Sequence, residues 1–161
     1  MKPVPRTLIT VLAVLLFPLA AAAGFRAELE QLLGGDRPDG VVFEIATGDA
    51  GALEWALPRT DEAIRKLRAK WPDLEIVIVS HGKEQFALTR DSVGKKEVKK
   101  QVLDLVSKDK VSVHVCGAFA SMNNVSEDAF PDHINVSAHG PEQIKDYQSL
   151  GYRLIRLSKD D

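Results

Sequence analysis

The fold class that the amino-acid sequence predicts is α/β, with three layers around a five-stranded, mainly parallel sheet. Two observations predict it. Five apolar, β-branched runs of strand length recur along the chain, and segments with helical periodicity lie between them. Strands alternating with helices point to parallel pairing through crossover helices, which cover the sheet on both faces.

Residues 1–23 carry Lys2 and Arg6, then an apolar stretch from Leu8 to Phe17, then Ala20-Ala21-Ala22-Ala23. A basic start, an apolar core and a small-residue end are the parts of a cleavable signal peptide. The apolar core is short for a membrane span. Residues 24–40 hold a lead-in helix, from the helical spacing of Phe25, Leu29, Leu32 and Leu33, and a Gly- and Pro-containing linker from Gly34 to Gly40. Residues 41–161 form the main domain.

Its strand runs are Val41–Ala46, Leu74–Val79, Val111–Val115, Ile134–Ala138 and Tyr152–Leu157. Three of them are nearly continuous in apolar residues, as strands covered on both faces should be. The last alternates and suits an edge. Ile64, Leu67 and Trp71 mark one helix, which Pro72 stops. Val98, Val102, Leu105 and Val106 mark a second, set against lysines. Ile144, Tyr147 and Leu150 mark a third, with Pro141 in its first turn and Gly151 just past its end. The stretch from Ala118 to Pro131 has room for one short helix. A chain of this size fits a flavodoxin-like sheet, with the strand order 2-1-3-4-5.

Composition narrows the function classes. With 45% hydrophobic residues and a formal net charge of -2, the chain is neither disordered nor a strongly basic nucleic-acid binder. Cleavage after Ala23 removes two cations and no acids, so the exported form is mildly acidic. In a bacterium its compartment is the periplasm, which is oxidising, and no stable membrane association remains. The single cysteine, Cys116, excludes an intramolecular disulfide and any multi-cysteine metal or cluster site. Between Lys95 and Lys110 lie six lysines against three acids, which reads as a solvated helix face before it reads as a binding surface.

In open parallel sheets, reactive groups gather beyond the carboxyl ends of the strands. The predicted strands end at Thr47-Gly48-Asp49, Ser80-His81-Gly82, Val115-Cys116-Gly117 and Ala138-His139-Gly140. The order 2-1-3-4-5 puts Cys116 at the crossover, His139 on the neighbouring strand and His81 two strands away. A cysteine at the turn into a helix meets free N–H groups and the helix dipole, which favour the thiolate. The other reading is a small buried hydrophobe. A metal site from His114 and Cys116 is less expected than a structural mid-strand histidine. A Cys116–His139 hydrolase lacks a third group. The loop Thr47–Gly51 is acidic and poor in hydroxyls, against flavin or phosphate, and the redox Cys-x-x-Cys motif is absent.

Several stretches together resemble the DsrE/DsrF-like sulfur-relay family. They are Val41-Val42-Phe43-Glu44-Ile45, Val79-Ser80-His81-Gly82, Val113-His114-Val115-Cys116-Gly117, Asp128-Ala129-Phe130-Pro131 and the ending Gly151-Tyr152-Arg153-Leu154-Ile155-Arg156. Gly117-Ala118-Phe119-Ala120 follows the cysteine, where many relatives have Asn and then Ser or Thr. The resemblance implies a flavodoxin-like fold, homo- or hetero-oligomers and no organic cofactor. It also implies a persulfide carried at the position of Cys116, with donor and acceptor proteins or small persulfides as partners. On these grounds the expected site residues are Cys116, with His81 and His139 as assistants. The expected function is sulfur relay, and the alternative is an oligomeric binding or scaffold module with a structural Cys116.

Overall fold

The computed structural model describes residues 24–159. The expected signal peptide, residues 1–23, lies outside them. Five strands form one parallel sheet: β1 (Gly40–Ile45), β2 (Glu75–Ser80), β3 (Ser112–Cys116), β4 (Asn135–Ser137) and β5 (Tyr152–Leu157). Five α-helices accompany them: α1 (Phe25–Gly34), α2 (Leu53–Lys70), α3 (Lys96–Ser107), α4 (Gly117–Met122) and α5 (Gly140–Ser149). Two 3-10 turns, Lys83–Leu88 and Glu127–Ala129, complete the described residues.

The α/β class and the parallel sheet are as expected, but the strand order is not. It is β4-β3-β2-β1-β5 rather than 2-1-3-4-5. From β1 to β4 every connection moves to the adjacent strand in the same direction. Crossovers of one hand then put their helices on one face. The return from β4 to β5 runs the other way, so α5 lies on the opposite face, against β1, β2, β3 and β5. Two consequences correct the sequence reading. The order reverses at β1, between β2 and β5, so Cys116 on β3 is not at the crossover. His81 follows β2, the direct neighbour of β3, rather than a strand two places away.

The two faces differ in depth. Val41, Phe43, Ile45, Ile76, Ile78, Val113 and Val115 point into the larger core with α1 through α4, joined there by Phe25, Leu29, Leu57, Leu67 and Leu105. Val42, Val77 and Val79 meet only Ile144 of α5, with Tyr147, Tyr152 and Leu154 packed around them. Edge strand β5 alternates as expected. Helix α2 begins well before the predicted stripe and contains Pro58 in its second turn. Pro141 opens α5, and Gly151, at φ +89, leaves it. The lysines of α3 and its caps are solvated in part, with Lys100 and the C-cap Lys108 both on Asp104 and the N-cap Lys95 on Glu54.

Candidate functional site

The carboxyl ends of β1, β2 and β3 are stitched together by two buried polar side chains that follow Gly82. Glu84 is fully buried and accepts four hydrogen bonds, from Thr47 N–H (2.9 Å), Thr47 Oγ1 (3.1 Å), Ser80 Oγ (2.8 Å) and Gly82 N–H (2.8 Å). A carboxylate removed from water needs such a full set of donors. Gly82 is required by the same packing, because a Cβ there would lie 2.3 Å from the Thr47 carbonyl oxygen. Gln85, also fully buried, accepts from Cys116 N–H at 2.8 Å and donates to the Cys116 carbonyl at 3.2 Å.

Cys116 ends β3 and is the N-cap of α4. Because residues of a strand alternate in direction, it points to the α5 face with His114, away from Val113 and Val115. Its Sγ accepts a hydrogen bond from Phe119 N–H at 3.4 Å, the bond that a capping oxygen usually takes. The residue is 5% exposed. The ring of Phe119 stacks on that of Phe86, with centroids 5.7 Å apart.

His81 reaches the same place from β2. A Cβ added to Gly140 would lie 2.6 Å from His81 Cβ and 3.4 Å from Cys116 Cβ, so both residues press on this one glycine at the start of α5. The His81 ring is fixed from the far side. Its Nε2–H donates to Glu44 Oε1 at 2.8 Å, and Arg156 Nε lies 3.0 Å from Glu44 Oε2. The hydrogen bond from His81, helped by electrostatic attraction to His81 and Arg156, holds the Glu44 carboxyl below its usual range, against burial, which pushes it up. Arg156, Glu44 and His81 thus form a line across three strands that ends at His81, which meets Cys116 at Gly140.

His139 stands differently. It is the N-cap of α5, its side chain is exposed, and its Nδ1 lies 3.2 Å from Glu142. Of the three expected site residues, Cys116 and His81 are brought together, and His139 sits outside them. Neither histidine hydrogen-bonds the sulfur among the described residues. His114, weighed as a metal ligand, has both ring nitrogens engaged within the protein, Nδ1 with Ser137 Oγ at 2.9 Å and Nε2 with Tyr147 O–H at 3.1 Å. Ser137 in turn donates to Gln143 Oε1 at 3.1 Å. Burial lowers the His114 pKa, which favours the neutral ring with Nδ1–H as donor and Nε2 as acceptor. Among the described residues, no group of three His, Cys, Asp or Glu side chains could hold a metal ion.

Glu44, Arg156, Glu84 and Gln85 were not singled out from the sequence. Glu44 carried a signal, as the one charge inside an otherwise apolar strand run; such a charge must be paired. Glu84 and Gln85 carried none, since a polar pair after a glycine reads as an exposed turn.

No family model matches the chain, and no match is found among curated proteins. Solved structures do match. A protein of unknown function from Methanobacterium thermoautotrophicum, MTH1491, is 23% identical, with a TM-score of 0.59 over 72% of this chain and 96% of its own. The ychN protein of E. coli is 14% identical, with a TM-score of 0.56 over 74% of this chain and 99% of its own. The likeness supports a DsrE-like fold, and it is a likeness of fold alone.

Proposed function

We propose that the protein is an exported sulfur-relay protein in which Cys116 carries sulfane sulfur. The observation that supports this best is the hydrogen bond from Phe119 N–H to the Cys116 sulfur at the start of α4. A backbone donor and a helix start both stabilise negative charge on sulfur, which is what a nucleophilic thiol requires. The Cys116 thiolate attacks the terminal sulfur of a donor R–S–SH. The donor's S–S bond breaks, R–S⁻ leaves, and Cys116 becomes a persulfide. A partner's thiolate then attacks the outer sulfur, takes it as its own persulfide and restores the Cys116 thiolate. His81, fixed by Glu44, assists with proton balance, and His139, exposed at the start of α5, does so from outside the Cys116–His81 pair. The signal-like segment before Gly24 supports export, and partners that donate and accept sulfur follow from the chemistry. Self-association into a homo-oligomer belongs to the same reading.

A second reading has its own observation. Cys116 is 5% exposed and its backbone is clamped by Gln85, as befits a structural residue in an oligomeric binding or scaffold module. One experiment separates the two. The purified protein is incubated with polysulfide and weighed intact, beside Cys116→Ala. The relay reading expects a gain of one or more sulfur atoms in the parent and none in the variant. No gain in the parent, or an equal gain in both, overturns it in favour of the structural thiol.

A further inference from the structure

Away from Cys116, a second feature of the fold has the character of a ligand site. β4 has three residues and α4 has six, so the chain between Asn123 and Ile134 packs largely as loop, and this segment gives α3 no long helix to pack against. The loop is anchored to the segment after the first 3-10 turn, where Arg90 N–H donates to the Ala129 carbonyl at 2.7 Å. What remains between this loop and α3 is an open cleft of about 270 Å³. Its floor and walls are apolar: Leu88, Val102 and Ile134 are buried, and Leu103, at 45% exposed, stands in the wall. A large aliphatic side chain half open to water beside a cleft is unfilled contact area.

The polar side chains that line the cleft are all basic. Arg90 comes from one wall, Lys99 and Lys100 from α3, and His133 from the loop. Two of these cations lean outward on acids, Arg90 on Asp132 and Lys100 on Asp104, in exposed pairs that contribute little and exchange readily. Lys99 differs. Its Nζ donates to the carbonyls of Arg90 (2.9 Å) and Ser92 (3.0 Å) and has no acid partner among the described residues. It is a half-buried positive charge compensated only by dipoles, at the rim of an apolar cleft.

We infer that this cleft binds a small amphiphilic carboxylate, with its tail on Leu88, Val102, Leu103 and Ile134 and its carboxylate at Lys99. An apolar lining with one or two placed polar groups is the usual composition of a small-molecule site, and the modest volume limits the ligand to a short aliphatic or aryl acid. The charge of the rim selects an anion over an alcohol or an amine. This inference is independent of the chemistry at Cys116.

The test is a titration of methyl-labelled full-length protein with octanoate, followed by NMR at the methyl groups of Leu88, Val102, Leu103 and Ile134. Octanol, octylammonium and acetate are run in parallel. Saturable shifts with octanoate, at least about tenfold weaker binding of octanol, and none of acetate or octylammonium are expected. Leu103→Asp, at an exposed position, should abolish the shifts while leaving the rest of the spectrum unchanged. Lys99→Gln should bring octanoate down to the level of octanol. Octanol binding as tightly as octanoate overturns the carboxylate assignment. Absence of saturable shifts below about 10 mM overturns the site.

Discussion

Gln85 holds Cys116 by both of its backbone groups: the cysteine N–H donates to Oε1 at 2.8 Å, and Nε2 donates to the cysteine carbonyl at 3.2 Å. The side chain behaves as one extra rung of sheet, supplied by the turn after β2. It carries the ladder of β3 to the last residue before α4.

Replacing Gln85 by Met keeps the volume and removes both bonds. The N–H and carbonyl of Cys116 then lose their Gln85 partners in a buried setting, at a cost of about 2–6 kcal/mol, given roughly 1–3 for each of the two groups. Urea unfolding should show this loss. A variant as stable as the parent would mean that water enters and takes over the clamp.

Gly140→Ala probes the place where His81 and Cys116 converge. The new methyl would lie 2.6 Å from His81 Cβ and 3.1 Å from Cγ, atoms too near the backbone to swing away. Strain of about 1–3 kcal/mol is expected. The His81 ring resonances should move as its bond to Glu44 is disturbed, which an NMR comparison with the parent would reveal.

Glu44 makes stability depend on pH in the acid range. Its folded pKa is lowered, by the His81 hydrogen bond first, so its contribution is complete above the ordinary value of 4.5 and is lost as pH falls through the folded value. Glu44→Gln keeps a carbonyl for His81 but not the charge. The gap between parent and variant in urea midpoint should be widest near neutral pH and close on acidification. A gap that stays constant would mean that the charge of Glu44 is irrelevant.

His114 works in a higher window. Burial lowers its pKa below the ordinary 6.5, so below about that pH the unfolded chain takes up a proton that the folded chain refuses. Stability should therefore decline as pH drops from 6.5 towards the lowered value, then level off. His114→Gln, which can still bond to Ser137 or Tyr147, should flatten that part of the profile in thermal or urea unfolding.

Much of this molecule was legible in short stretches of sequence. The apolar runs marked all five strands, with their ends displaced by no more than about a residue or two, a usual margin. Cys116-Gly117 read correctly as a strand end that turns into a helix, and Pro141 and Gly151 bracket α5 as their backbone preferences require. Strand neighbours were not legible. Which strand lies beside β3 is decided by helix packing over the whole sheet, and no local pattern around His81 records it. The same limit hid the partners of His81: Glu44 and Arg156 lie on β1 and β5 and meet only after those strands pair. Gln85 was hidden for another reason, because its burial depends on the backbone of Cys116, 31 residues further along the chain, and not on its own sequence neighbours.

The pairing of β1 with both β2 and β5 has a consequence for the newborn chain. The first strand to leave the ribosome is completed by the last. Until Tyr152–Leu157 arrives, Gly40–Ile45 has one bare edge, and closing the longest loop in the domain is the final entropic cost. A chain cut short before Tyr152 would carry a buried apolar strand with an open side, an invitation to sticking and to proteases. Integrity of the whole sheet is thus checked by its carboxyl-terminal residues.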